Sequence, residues 1–134
     1  MMVSTSECVV DASAILAFVF RERGIDTVET WLERGAAASA STIQETVSKL
    51  VQKGASVDEA EEVVMALGLD IHALVTELAM AAGAMFPVTG AYGLSHGDRA
   101  CLALSAHLGL PVITVDANWS NVASVLKVDV QQFR

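Results

Sequence analysis

Short apolar runs alternate along the chain with longer segments whose apolar residues recur at helical spacing. Residues 8–10 and 111–115 are apolar runs of strand length, and each run stops at an aspartate. Runs of this kind predict buried strands. Weaker patterns predict three more strands, at residues 36–39, 69–73 and 128–132.

Helical spacing and capping signals predict the segments between the strands. Ser56 with Glu59 has the form of a capping box, and so does Ser41 with Gln44. Glycines directly after several of these segments are typical helix ends. The predicted helices are 12–23, 25–33, 41–53, 57–67, 75–85 and 95–108, and a loop is predicted at 87–93.

The alternation of strands and helices favours a three-layer α/β domain with a parallel sheet. The length of 134 residues predicts that residues 1–134 form a single domain. Ligands of such sheets bind beyond the carboxyl ends of the strands. Asp11 and Asp116 each follow a predicted strand directly. We therefore expect the chemistry of the protein at this edge of the sheet.

Composition and charge restrict the function. Hydrophobic residues make up 53% and charged residues 18%, which excludes a disordered chain. The formal net charge of −8 excludes a broad basic face, so a polyanion would need a few local cations or a bound metal ion. We expect no membrane span, because no stretch of about 18 residues is apolar enough. We expect no signal peptide, because no basic residue precedes the run at 8–10. Cys8 and Cys101 form no metal or disulfide pattern, which is typical of reduced thiols in a cytoplasmic protein.

Four carboxylates lie where a site would form, and each also has a structural interpretation. Asp11 and Asp116 could be helix N-caps. Asp98, at the start of an apolar helix, could close a capping box with Ser95. Glu45 lies opposite the apolar stripe of its helix and four residues before a lysine, so periodicity alone favours a solvated side chain. From the residues alone, structural and catalytic roles are both open for these acids.

If the four acids converge, their mutual repulsion requires a counter-charge. Two like charges about 4 Å apart repel by about 4 kcal/mol at an effective dielectric of about 20. A hard divalent cation such as Mg²⁺ or Mn²⁺ takes carboxylate, water and phosphate oxygens as ligands. Such an ion can activate water and hold the oxygens of a phosphodiester. A convergent site therefore predicts metal-dependent phosphodiester hydrolysis.

Three segments of the chain resemble the PIN-domain family. Val9–Leu16, which contains Asp11, resembles the opening motif of the family. Gly93–Leu104, with Asp98, resembles the segment of its third acid. Leu110–Asp116 resembles the segment of its fourth acid. Together they resemble small bacterial ribonuclease toxins of the VapC type over nearly the whole chain, which implies an α/β PIN-like domain with a central parallel sheet of about five strands flanked by helices.

The resemblance also implies an activity, a cofactor and partners. It implies a Mg²⁺- or Mn²⁺-dependent endoribonuclease that forms a homodimer and is neutralised by a cognate VapB-like antitoxin. We expect the substrate to be a structured RNA such as tRNA. An arginine of the antitoxin could insert among the acids. The catalytic and metal-binding acids carried over residue by residue are Asp11, Glu45, Asp98 and Asp116.

Other side chains are expected to support these acids. Ser13 and Thr114 each lie two residues from a site acid, and their hydroxyls could hold a carboxylate or a metal-bound water. Asn118 could coordinate through its carbonyl but adds no charge, which argues against a strongly bound second ion. For His96, packing or capping is favoured over proton transfer. Cations are few, which predicts weak and salt-sensitive RNA binding. The available phosphate contacts are Arg21, Arg23, Lys49, Lys53 and Arg99.

Two other functions are compatible with parts of the pattern. A catalytically silent PIN-like module that binds RNA or protein would keep the fold without the chemistry, and the presence of all four acids argues against it. A phosphatase that forms an aspartyl-phosphate needs an acid two residues after its nucleophile, where this chain has Ser13. The predicted helices at 25–33 and 57–67 could hold a groove for an antitoxin helix, or could pack only against the core.

Overall fold

The computed structural model of the chain describes residues 5–134. Strand and helix alternate, as the hydrophobic pattern predicts. The strands within this range are β1 (Cys8–Val10), β2 (Ala36–Ser39), β3 (Asp70–His72), β4 (Val112–Thr114) and β5 (Val130–Gln132). The helices are α1 (Ala12–Val19), α2 (Ile25–Arg34), α3 (Ala40–Gln52), α4 (Val57–Ala66), α5 (Thr76–Ala84), α6 (Phe86–Thr89), α7 (His96–Leu108) and α8 (Asn118–Leu126).

The five strands form one parallel sheet in the order β3-β2-β1-β4-β5. Strand β1 lies at the centre, where Val9 pairs with Ala37 on one side and with Val112 on the other. Val10 pairs with Ile113, so β1 and β4 end side by side. This register brings the residues that follow the two strands to the same point of the sheet edge.

The core has two layers because successive strand residues point to opposite faces of the sheet. Val9 and Val112 pack with buried residues of α7 and α8, such as Leu102 and Trp119. The other face has its own buried cluster, formed by Cys8, Val10, Ala14, Ile15, Val28, Ala36, Ala38 and Ile113. Helices therefore cover both faces, and the predicted three-layer α/β fold with five parallel strands is confirmed.

The predicted ends of two helices are wrong. Helix α1 ends at Val19 and not at residue 23, because Arg21 takes a left-handed φ of 53°. The amides of Arg21 and Glu22 then bond to the carbonyls of Phe18 and Ala17, which is a Schellman ending. Helix α3 begins at residue 40, where the side chain of its N-cap serine, Ser39, accepts from the amide two residues on. The predicted capping box that starts at residue 41 is therefore absent.

Three helical segments were not predicted. Helix α6 and a 3-10 turn at Gly90–Tyr92 overlap the predicted loop at 87–93, and Pro87 does not prevent α6 because proline is tolerated in the first turn of a helix. Helix α8 follows β4, and its buried Trp119 and Val122 give the three-residue spacing that could have identified it. The capping box of Ser56 with Glu59 is confirmed at the start of α4.

Of the helices within residues 5–134, none combines the length and the apolar character needed to cross a bilayer. The expected absence of a signal peptide rests partly on residues 1–4, which lie outside the described residues.

Candidate active site

Asp11 is the most enclosed carboxylate of the sheet edge. It follows β1, caps α1 and is only 7% exposed. Its Oδ1 accepts from Ser13 Oγ at 2.6 Å and from the Ala14 amide at 2.9 Å, and its Oδ2 accepts from Thr114 Oγ1 at 2.5 Å. Burial raises the pKa of Asp11 to about 6, although these hydrogen bonds act in the opposite direction.

Two hydroxyls connect Asp11 to the turn after β4. Ser13 Oγ accepts from the Val115 amide at 3.1 Å, and Thr114 Oγ1 accepts from the Asp116 amide at 3.1 Å. Each hydroxyl therefore donates to Asp11 and accepts from the backbone that carries Asp116. The predicted supporting positions do hold a carboxylate, and the same hydrogen bonds fix the distance between two of the predicted acids.

Asp98 caps its helix and also lies beside the cavity that the other predicted acids border. It closes a capping box with Ser95, whose amide donates to Asp98 Oδ2 at 2.9 Å. It also lines the same cleft as the other acids. Partial burial raises its pKa, and the nearby carboxylates Glu45 and Asp116 act in the same direction. Capping thus orients the Asp98 side chain beside the cleft.

Glu45 extends from the polar side of α3 toward the cleft and forms an ion pair with Lys49 at 2.9 Å. A Cβ atom placed on Gly97 would lie 3.0 Å from Glu45 Oε1. The glycine before Asp98 therefore permits α3 and α7 to bring these two acids close together. Periodicity correctly indicated the lysine pair, but it did not show that this polar face borders a cleft.

The carboxylate cleft, as we call the cavity at this edge, has a volume of about 280 Å³. Asp116 borders it after β4 and accepts from the Asn118 amide at 2.9 Å. Trp119 also lines the cleft, and its Nε1 is the one buried side-chain nitrogen or oxygen within residues 5–134 that has no hydrogen-bond partner. All four predicted acids are among the lining residues, which are Asp11, Ala12, Ser13, Thr42, Glu45, Lys49, Gly97, Asp98, Val115, Asp116 and Trp119.

The donor set fits a hard divalent cation by type. Among residues 5–134, no three His, Cys, Asp or Glu side chains are grouped closely enough to hold a metal ion. Each acid of the cleft is instead bonded to a donor of its own. The described lining residues nevertheless offer four carboxylates and no cysteine or histidine, which is the ligand chemistry of Mg²⁺ or Mn²⁺. Binding would require these side chains to turn toward a common point.

The predicted phosphate contacts are dispersed. Lys49 lines the carboxylate cleft, and Lys53 lines the neighbouring cavity. Arg21 lies on a different groove, between α1, α2 and α4. The prediction for Arg99 is wrong, because its side chain is only 7% exposed, donates to the Leu94 carbonyl at 3.0 Å and lies over the Phe86 ring.

Three more of the predicted side chains do not line the cleft, namely those of Arg23, Asn118 and His96. Arg23 offers its carbonyl to Arg134 and is not among the residues that line the cleft. Asn118 and His96 are exposed and are also outside this lining. Sequence reasoning missed Arg134, which lines the cavity next to the cleft. No local signal marks it, because only the packing after β5 brings it beside residues 22 and 23.

Comparison with known proteins agrees with this architecture. The family model described as PIN domain matches residues 8–125. DNA-bound VapBC from Salmonella typhimurium matches with a TM-score of 0.71 at 15% identity, over 99% of this chain and 100% of the other. VapBC2 from Rickettsia felis, bound to a promoter DNA fragment, matches with a TM-score of 0.70 at 10% identity, over 93% and 97% of the two chains.

A toxin–antitoxin complex from Klebsiella pneumoniae matches with a TM-score of 0.66 at 21% identity, over 95% of this chain and 98% of the other. No curated protein sequence matches this chain significantly. At these identities the structural likeness shows the fold.

Proposed function

Because the chain belongs to the PIN-domain family, we propose that it is a metal-dependent endoribonuclease and the toxin of a VapBC-like toxin–antitoxin pair. The observation that carries the proposal is the carboxylate cleft. Four acids from different parts of the chain line one small cavity at the carboxyl edge of the sheet. A fold alone would not require this juxtaposition of like charges.

The acids of the cleft would hold the metal ion. When bound, Mg²⁺ or Mn²⁺ would supply the counter-charge and the Lewis acidity that hydrolysis of a phosphodiester requires. The oxygen ligands would come from Asp11, Glu45, Asp98 and Asp116. Ser13 and Thr114 orient the most buried of these carboxylates through their short hydrogen bonds. Lys49, now paired with Glu45, is the cation available to a phosphate oxygen in the cleft.

The charge of the chain supports a structured RNA, such as tRNA, as the substrate. With a net charge of −8 and few cations near the cleft, nonspecific affinity for nucleic acid is expected to be low and salt-sensitive. We therefore expect selectivity to come from the shape of a folded RNA and not from base reading along a strand. We expect the enzyme to act as a homodimer.

The partner that we propose is a VapB-like antitoxin, since several structures with this fold are named as VapBC complexes. A groove of about 400 Å³ between α1, α2 and α4 could accept a helix of it, and the apolar residues of the groove support this. They include Phe18, Val19, Ile25, Val63 and Leu67. An arginine of the antitoxin could pair with the acids of the cleft.

The test is cleavage of total tRNA by the purified, antitoxin-free protein with Mg²⁺, with Mn²⁺ and with EDTA. Asp98→Asn is the matched control, because the amide keeps the shape of the carboxylate and can still accept from the Ser95 amide. We expect discrete fragments that require metal and are absent with the variant. Equal cleavage by the variant, or cleavage in EDTA, would contradict the proposal.

A silent PIN-like module that binds RNA or protein is the second candidate. The observation that favours it is the absence, among residues 5–134, of three acids grouped for metal binding. The two candidates differ in a melting experiment. A metal ion present at a concentration 100 times its Kd stabilises the folded chain by about 2.7 kcal/mol and so raises its Tm. A silent module without a metal site should show no change in Tm.

A further inference from the structure

A second cavity adjoins the carboxylate cleft. It has a volume of about 500 Å³ and shares Ser13 and Lys49 with the cleft, so the two are contiguous. We call it the Phe20 cavity. Its other lining residues are Leu16, Phe20, Glu22, Gln52, Lys53 and Arg134. The metal site and mechanism described above use none of these six.

Charge changes sign along the wall that α3 contributes to both cavities. Glu45, Lys49 and Lys53 are spaced by four residues, so they lie on nearly the same face of the helix. Lys53 is about 12 Å from Glu45 along the helix axis. A polyanion whose reacting phosphate lies at the acids would therefore meet ammonium groups on this side.

Three cations line the Phe20 cavity, and Lys53 is the one among them that the described residues leave without an ion pair. Within residues 5–134 it forms no ion pair, and its Nζ lies 5.4 Å from the centre of the Phe20 ring. Lys49 is already paired with Glu45, and Arg134 lies 3.6 Å from Glu22. An ammonium group held against an aromatic face can leave it for a phosphate, because a cation–π contact at an exposed site is worth only about 0.5–1 kcal/mol.

Phe20 offers an aromatic surface on a fixed backbone. It is 41% exposed, although its neighbour Leu16 is buried. The Schellman ending of α1, in which the Glu22 amide bonds to the Ala17 carbonyl, fixes the backbone at this position. Aromatic side chains beside a cationic groove are the means by which proteins bind unpaired bases of single strands, because every base has a π face.

We propose that the Phe20 cavity is the subsite for a nucleotide next to the cleaved phosphodiester, with Phe20 stacking on its base and Lys53 contacting its phosphate. The proposal rests on the proposed ribonuclease function and adds the position of the flanking nucleotide. A protein segment is the weaker occupant, because an exposed aromatic ring beside an ammonium group matches the base and the phosphate of one nucleotide.

The test measures RNA binding in the Asp98→Asn background, in which the RNA stays intact. The probe is a fluorescein-labelled oligouridine of about 12 nucleotides, with Mg²⁺, and Kd is determined by anisotropy over a series of salt concentrations. Phe20→Ala should weaken binding about 5- to 150-fold and leave the salt dependence unchanged. Phe20→Leu should weaken binding to the same extent, although it keeps an apolar side chain. Phe20→Trp keeps an aromatic ring and should bind as tightly as the parent.

Lys53→Gln should act differently. Loss of one phosphate contact lowers the slope of log Kd against log salt by about 0.7 for a single strand. Lys127→Gln is the matched control, because Lys127 lines a cavity beside Pro111, at the opposite edge of the sheet. Tyr92→Ala is the control for the ring, since Tyr92 is 42% exposed and is not among the residues that line either cavity. Melting curves verify that each variant is folded.

The outcomes separate the subsite from the proposed function. If tRNA is cleaved by the wild type and the Phe20 and Lys53 variants bind the oligonucleotide as the parent does, the subsite is refuted and the ribonuclease stands. If the wild type neither binds nor cleaves RNA, the proposed function fails and the subsite with it. The subsite is supported if Lys53→Gln lowers the salt slope, and if Phe20→Ala and Phe20→Leu lose affinity while Phe20→Trp keeps it.

Discussion

Without metal, the buried carboxyl of Asp11 should make the protein less stable as the pH rises. Asp11 is 7% exposed, and burial raises its pKa from 3.8 to about 6. The folded chain therefore binds this proton more tightly than the unfolded chain does. The resulting stabilisation is complete below about pH 4 and is lost as the pH rises through about 6.

The size of the effect follows from the two pKa values. The full difference corresponds to about 3 kcal/mol, of which about 1.4 kcal/mol is lost between pH 5 and pH 8. For a domain of this size that loss is about 5 °C in Tm. Asp11→Asn carries no charge at this position, so its stability should lack this part of the pH dependence.

The assay is thermal unfolding in EDTA at about pH 5 and about pH 8. The difference between the wild type and Asp11→Asn isolates Asp11 from the other titrating groups. Asp58→Asn is the matched control, because Asp58 is exposed on α4 and should keep the wild-type pH dependence. The reasoning is refuted if Asp11→Asn keeps the same dependence as the wild type. At about pH 8, Mg²⁺ should raise the Tm of the wild type and not that of Asp11→Asn.

Three further predictions test the surroundings of the cleft. Thr114→Val removes the buried hydroxyl that donates to Asp11. We expect urea unfolding to show that the free energy of unfolding falls by about 2–3 kcal/mol. An unchanged midpoint would contradict this. Lys49→Gln removes the counter-charge of Glu45, so calorimetry should show about two- to fivefold tighter Mn²⁺ binding, and weaker binding would argue against it. Gly97→Ala places a Cβ 3.0 Å from Glu45 Oε1 and should lower tRNA cleavage about tenfold while Tm is kept.

Features that depend on neighbouring residues could be predicted from the sequence. The apolar runs identified β1 and β4, and the aspartate after each run marked the edge where the cleft lies. The capping boxes at Ser56 and Ser95 start α4 and α7 as predicted. The end of α1 could not be predicted, because it depends on a left-handed Arg21, a conformation that the residue type does not favour.

The pattern of residues thus determined the class of fold, the parallel sheet and the candidate acids, because periodicity and capping act over a few positions. Only the tertiary structure decided which polar groups meet. Thr114 bonds to Asp11 across 103 positions of the chain, and the polar face of Glu45 borders a cleft where periodicity favoured solvent. The packing of α7 also buried Arg99 away from the cleft. These contacts depend on how distant elements pack, and packing changes the solvation of a charge without leaving a signal in its neighbours along the chain.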